Sequence, residues 1–133
     1  MHAVVHGERT LTDLDFARLT KLVSRQLPPP LADLLACAEV TSSRAVPVDV
    51  VTMYSRVELV DVKTLRRQTL TLCYPGDAEP AAGFISVLSP VGNSLLGMKC
   101  GTVARWNSPM GDACAAEIAA IVFQPEASGD YST

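Results

Sequence analysis

The hydrophobic period of this chain changes once, at Val46-Pro47, and that change constrains both halves. Upstream, apolar residues recur at helical spacing; downstream they alternate. Phe16, Leu19, Val23 and Leu27 predict an amphipathic helix over Leu14 to Leu27, capped by Thr12 or Asp13. Arg18, Lys21 and Arg25 fall on roughly the opposite face. Pro28-Pro29-Pro30 ends that helix, because proline lacks an N–H and holds an extended backbone. A second helix starts near Pro30 or Leu31, buries Leu31, Leu34, Leu35 and Ala38, and fades through Thr41-Ser42-Ser43. Neither stripe can be covered alone. The two helices are therefore expected to pair as an antiparallel hairpin with arms roughly 20 Å long.

After Pro47 the alternation of Val48, Val50, Thr52, Tyr54 and Arg56 with their neighbours predicts one long strand through Val60. A turn at Asp61 to Leu65 leads into a second strand, Arg66 to Tyr74, with Leu70, Leu72 and Tyr74 on one face. Pro75-Gly76-Asp77 opens a loop to Gly83, and Phe84 to Leu88 reads as a short strand. Pro90 begins a single helix, Val91 to Leu96, which Gly97 stops as a left-handed cap. Thr102 to Trp106 and Ala113 to Phe123 form a β-hairpin around the turn-rich 107–112. Trp106, the only tryptophan, is expected in the core against the sheet. The tail, Gln124 to Thr133, lacks periodicity and reads as surface chain. The fold class is α+β, with a helical hairpin in residues 1–46 and a sheet domain with one short helix in residues 47–133.

Chemistry-bearing groups are sparse. With 133 residues and 48% hydrophobic content a core can form, while a net charge of −3 gives no general attraction to polyanions. No apolar run approaches the roughly 18 residues of a membrane span, and Met1 to Thr10 lacks a secretory pattern, so a cytoplasmic location is expected. Cys37, Cys73, Cys100 and Cys114 sit singly in apolar segments, which favours reduced thiols over a disulfide framework. His2 and His6 lie in an unpatterned end without a second group to orient either ring. No metal, cofactor, catalytic residue or small-molecule substrate is expected. Gly92 and Gly97 flank a short helix and read as a turn and a cap rather than an anion site. The stripe Arg18, Lys21 and Arg25 admits two readings, a solvated helix face or a guide into a groove lined by acidic protein or nucleic acid.

Ile85-Ser86-Val87-Leu88-Ser89-Pro90-Val91-Gly92, then Leu95-Leu96-Gly97, resembles the strand-to-helix segment of the C-terminal domain in the GreA/GreB family of transcription elongation factors. Val103, Trp106, Pro109 and Gly111 keep that family's strand, hairpin and strand order. The ending Phe123 to Tyr131, and the run Asp49 to Val57, are similar to the Rnk branch of the family, whose name refers to regulation of nucleoside diphosphate kinase. The resemblance implies an FKBP-like antiparallel sheet domain behind a helical hairpin.

It further implies docking at the secondary channel of RNA polymerase, with Leu88, Ser89 and Pro90 at the channel rim and nucleic acid only indirectly near. Leu88 stands where Gre factors tend to carry a polar or acidic residue. Gre hairpins carry paired acidic residues at the tip that help hold a second Mg²⁺ for transcript cleavage. The tip here, with Pro29, Pro30 and Asp33, offers one carboxylate, and Glu39 follows more than a turn away. The expectation is a polymerase binder that competes with Gre-type factors without stimulating cleavage. The alternative is a binding module that regulates nucleotide metabolism through another partner. A prolyl isomerase is disfavoured, since such sites are aromatic-lined and aromatic residues are 5% of this chain.

Overall fold

A computed structural model describes residues 9–23, 33–36, 38–42, 44–108 and 110–129. The order is β1 (Thr10–Thr12), α1 (Asp13–Val23), β2 (Glu39–Thr41), β3 (Arg56–Asp61), β4 (Arg67–Cys73), β5 (Phe84–Ser86), α2 (Pro90–Leu95), β6 (Val103–Asn107) and β7 (Ala113–Phe123). Residues 33–36 are also helical. Five strands form one sheet in the order β5-β4-β3-β7-β6. Its pairs are antiparallel except β4 with β5, which run parallel. Two register shifts in the β3–β7 pair bend the sheet, so that it curls around α2. The fold is α+β, as its pattern predicts.

The alternation of β3 and β4 directs Val57, Leu59, Leu70 and Leu72 into one cluster with Ile118 of β7 and Leu95 of α2. Leu11, Leu19, Leu34 and Leu35, from before Val46, enter the same cluster. Trp106 is half-buried and packs against it. Among the described residues no helix is long and apolar enough to cross a membrane. Cys73, Cys100 and Cys114 are free thiols; Cys37, His2 and His6 lie outside the described residues.

Four expectations need correction. First, Val48 to Ser55 is not a strand; β3 begins only at Arg56. Val50, Val51, Thr52 and Met53 are buried in succession, so no alternating face exists there. Side chains capture the backbone instead: Ser55 Oγ accepts the Thr52 N–H at 2.8 Å and Asp15 Oδ2 accepts the Met53 N–H at 3.1 Å. Tyr54 then turns the chain with φ 66. Second, the chain near Thr41 is extended rather than a fading helix, because β2 pairs in parallel with β1 from Glu39 onward.

Third, the tail does not all lie on the surface. Gln124 and Glu126 are buried, and Gln124 Nε2 donates to the carbonyls of Pro47 and Val50, both at 2.8 Å. Fourth, the buried face of α1 centres on Asp15 and Leu19, which leaves Phe16 and Arg18 half-buried on its two sides. The side chain of Val23 and all of Leu27 lie outside the described residues.

Candidate functional site

The strand-to-helix corner is built by two serines. β5 ends at Ser86, whose Oγ accepts the Leu88 N–H at 3.0 Å. Ser89 N–H and Ser89 Oγ both donate to the Ser86 carbonyl, at 3.0 and 2.6 Å. Ser89 Oγ also accepts the Gly92 N–H at 3.1 Å and so caps α2, while Pro90 occupies the first turn, where a missing N–H is harmless. The structure thus brings Leu88, Ser89 and Pro90 together. Pro90 is exposed; Ser89 is half-buried, and Leu88 is half-buried against the core.

Gly92 makes this corner sterically feasible. A Cβ there would lie 2.1 Å from the Ser86 carbonyl oxygen and 3.1 Å from Leu72 Cδ1. At the other end of α2, Gly97 adopts φ 77, and its carbonyl accepts the Thr10 N–H at 2.9 Å. Arg9 Nη1 donates to the carbonyls of Asn93 and Leu96 at 2.7 and 2.9 Å, capping the C-terminal end of α2 with a cation. Arg9 and Thr10 are therefore tied to the helix that leaves the corner.

A second polar constellation joins α1 to the sheet domain. Thr12, rather than Asp13, caps α1, its Oγ1 accepting the Asp15 N–H at 3.0 Å. Asp15 accepts from Met53 as described, and Thr52 Oγ1 donates to Glu126 Oε1 at 2.6 Å. Burial pushes the Asp15 carboxyl up to about 7; the nearby Glu126 carboxylate adds to the rise, while the Met53 N–H, Thr12 and the Arg18 cation oppose it. Burial likewise raises the Tyr74 hydroxyl, and Asp15 adds to it while Arg18 lowers it. Tyr54 packs its ring on Tyr74 at 5.8 Å and donates its hydroxyl to Asp77.

The proposed hairpin residues divide accordingly. Arg18 turns toward Asp15 and Tyr74, so it does not belong to a uniform solvated stripe; Lys21 is exposed in the last turn of α1. Arg25, Pro29 and Pro30 lie outside the described residues, and Asp33 is exposed in the helical turn 33–36. Among the described residues no group of three or more His, Cys, Asp or Glu side chains is placed to hold a metal. Asp15 and Glu126 were missed by sequence reasoning. The one available signal was a carboxylate between the apolar Leu14 and Phe16 of a helix.

Residues 46–123 match the family of the transcription elongation factor GreA/GreB C-terminal domain. The chain is 35% identical over 127 residues to the regulator of nucleoside diphosphate kinase of Escherichia coli, covering 91% of this chain and 93% of that one. It is 33% identical over 82 residues to GreA of Acidiphilium cryptum, spanning 62% of this chain and about half, 52%, of that protein. A solved GreA/GreB transcription elongation factor from Nitrosomonas europaea superposes with a TM-score of 0.74 at 34% identity, covering 87% of this chain and 98% of that one. The locked corner, the sheet curled on one short helix and these likenesses agree: the chain belongs to the GreA/GreB family, in its Rnk branch.

Proposed function

We propose that this protein is a non-enzymatic transcription regulator that binds RNA polymerase at the rim of the secondary channel, with Leu88, Ser89 and Pro90 as the contact. The observation that carries the reading is the corner of a GreA/GreB-family chain locked before any partner arrives. Ser86 and Ser89 fix its backbone, so little ordering entropy is lost on binding. In this reading residues 1–46 are the hairpin, and residues 47–133 the docking domain.

Docking comes without stimulation of transcript cleavage, and the protein competes with Gre-type factors for the channel. Two-metal chemistry needs carboxylates converging on ions about 4 Å apart. Asp33 is the only acidic residue from Leu27 to Asp33, and Glu39 begins β2 beside Thr10, which supports a tip without a metal pair. A second reading is favoured by the name of the Escherichia coli relative, a regulator of nucleoside diphosphate kinase. There the same domain binds a partner other than polymerase.

Capture on immobilised core RNA polymerase separates these readings. The wild type is retained, and Pro90→Ala weakens retention about tenfold, equivalent to about 1.4 kcal/mol. Retention of Pro90→Ala equal to wild type rejects the corner, and absence of any polymerase binding favours the second reading. Strong transcript shortening on adding the protein to backtracked elongation complexes rejects the non-cleaving assignment.

A further inference from the structure

The helix α2 is six residues long and covers only part of the concave face of the five-stranded sheet. The end of the sheet beside the β3–β4 turn stays open. There Leu59, Leu70, Ile85, Val91 and Trp106 floor a cleft of about 400 Å³. A second cleft of about 340 Å³ shares Trp106 and continues along the edge strand β6, between Lys63 and Arg105. The turn between the two clefts adds exposed apolar side chains, Val62 and Leu65, the latter 71% exposed.

The rim is basic. Lys63, Arg66, Arg67 and Arg105 line the two clefts, facing the carboxylates of Asp61 and of Glu58, the partner of Arg67 at 2.9 Å. Asp61 is already engaged, accepting the N–H groups of Lys63 and Thr64 at 2.8 and 2.9 Å. Arg66 and Arg105 make no ion pair among the described residues. The lining of the two clefts is therefore net positive on a chain whose net charge is −3.

We propose that the open end of the sheet is a docking surface for an acidic segment of a partner protein. An apolar side chain of that segment enters the floor against Trp106, and its carboxylates meet Arg66 beside the floor and, around the edge strand β6, Arg105. An apolar floor inside a cationic rim fits a peptide that alternates acidic and apolar residues. It fits nucleic acid poorly, because the floor is mostly aliphatic and offers one half-buried aromatic ring where successive bases need several.

The cationic rim is separate from the corner, while the floor reaches toward it at Ile85 and Val91. Arg66 and Arg67 stand at the start of β4, whereas Ser86 pairs with Cys73 at its end, just before the corner. This inference does not depend on polymerase being the partner of the corner.

Because Trp106 is the only tryptophan, its fluorescence reports the cleft directly. The probes are short peptides alternating Glu with Leu, Gln with Leu, or Lys with Leu, and a single-stranded oligothymidine, titrated into the full chain at low ionic strength. The Glu/Leu peptide gives a saturable change in emission that weakens as salt rises. It binds about tenfold more tightly than the Gln/Leu peptide and about tenfold more tightly than to Arg66→Glu. Arg66 is exposed, so the variant retains the fold, and the double variant Arg66→Glu/Arg105→Glu shifts preference toward the Lys/Leu peptide. No response to the Glu/Leu peptide, an equal response in Arg66→Glu, or stronger binding of the oligonucleotide overturns the proposal.

Discussion

Replacing Asp15 by Asn removes a carboxylate that is 1% exposed and keeps an oxygen to accept the Met53 N–H. The Asp15 pKa is raised from 3.8 to about 7, first by burial and then by Glu126. For an acid whose folded pKa is raised, the native state keeps its proton while the unfolded chain releases it. Stability is therefore full below about pH 4 and falls as pH rises toward 7. At about 1.4 kcal/mol per pH unit, that window carries roughly 4 kcal/mol. With about 2.1 cal/mol/K of unfolding entropy per residue, this corresponds to about 14 °C in Tm for a chain of 133 residues. Asp15→Asn recovers most of it at pH 8, because a neutral amide has no charge to desolvate. The assay is urea unfolding of both proteins at several pH values between 4 and 8. The difference between them cancels the titrating groups not coupled to Asp15 and isolates Asp15 with its neighbour Glu126. The expected difference is small at pH 4 and grows to several kcal/mol in favour of Asn by pH 8. An Asn variant less stable than wild type at pH 8, or a pH-independent difference, refutes the reasoning.

Gly92→Ala places a methyl group against the Ser86 carbonyl at 2.1 Å, so the corner must move; thermal unfolding is expected to show a loss of about 3 kcal/mol. Ser89→Ala removes the cap of α2 and the bond to Ser86, costing about 1 kcal/mol in urea unfolding while leaving the β6–β7 hairpin amides protected from hydrogen exchange. Gln124→Ala removes the side-chain donor to the Val50 carbonyl and leaves the Pro47 carbonyl only the Val50 N–H at 3.3 Å, and chemical unfolding is expected to register a loss of about 2 kcal/mol, which a solvated tail residue would not produce.

What the sequence made legible is local. The β6–β7 hairpin joins neighbouring segments through a turn-rich bridge, and α2 carries its own start and stop in Pro90 and Gly97. Helical spacing around Leu19 found α1, and alternation through Leu70 and Leu72 found β4. What escaped depends on partners distant in the chain. Asp15 reads as solvated until Met53, 38 residues on, supplies its N–H. Glu126 reads as tail until Thr52, 74 residues back, bonds to it. Alternation misled at Val48 to Ser55 because period two marks a strand with one wet face, and Val50 to Met53 have none. β1 and β2 are three residues each, too short to carry a period. The serine-built corner was recognised through its resemblance to a family, since Ser-Pro alone marks no site.

The long-range polar contacts have a consequence for how the two parts of the molecule are held. An apolar seam through Leu11, Leu19, Leu34 and Leu35 can tolerate small slides, because dispersion and burial are weakly directional. Hydrogen bonds do not tolerate them. Arg9 fixes the chain just before β1 to the end of α2, Gly97 fixes Thr10, and Asp15 fixes α1 to Met53. α2 in turn begins at Ser89-Pro90, the proposed docking corner, and is held to β5 by Ser86. One short helix thus joins the proposed corner to the chain around β1, with no intervening loop. Burial of the Asp15 carboxyl is the energetic cost of that directional hold.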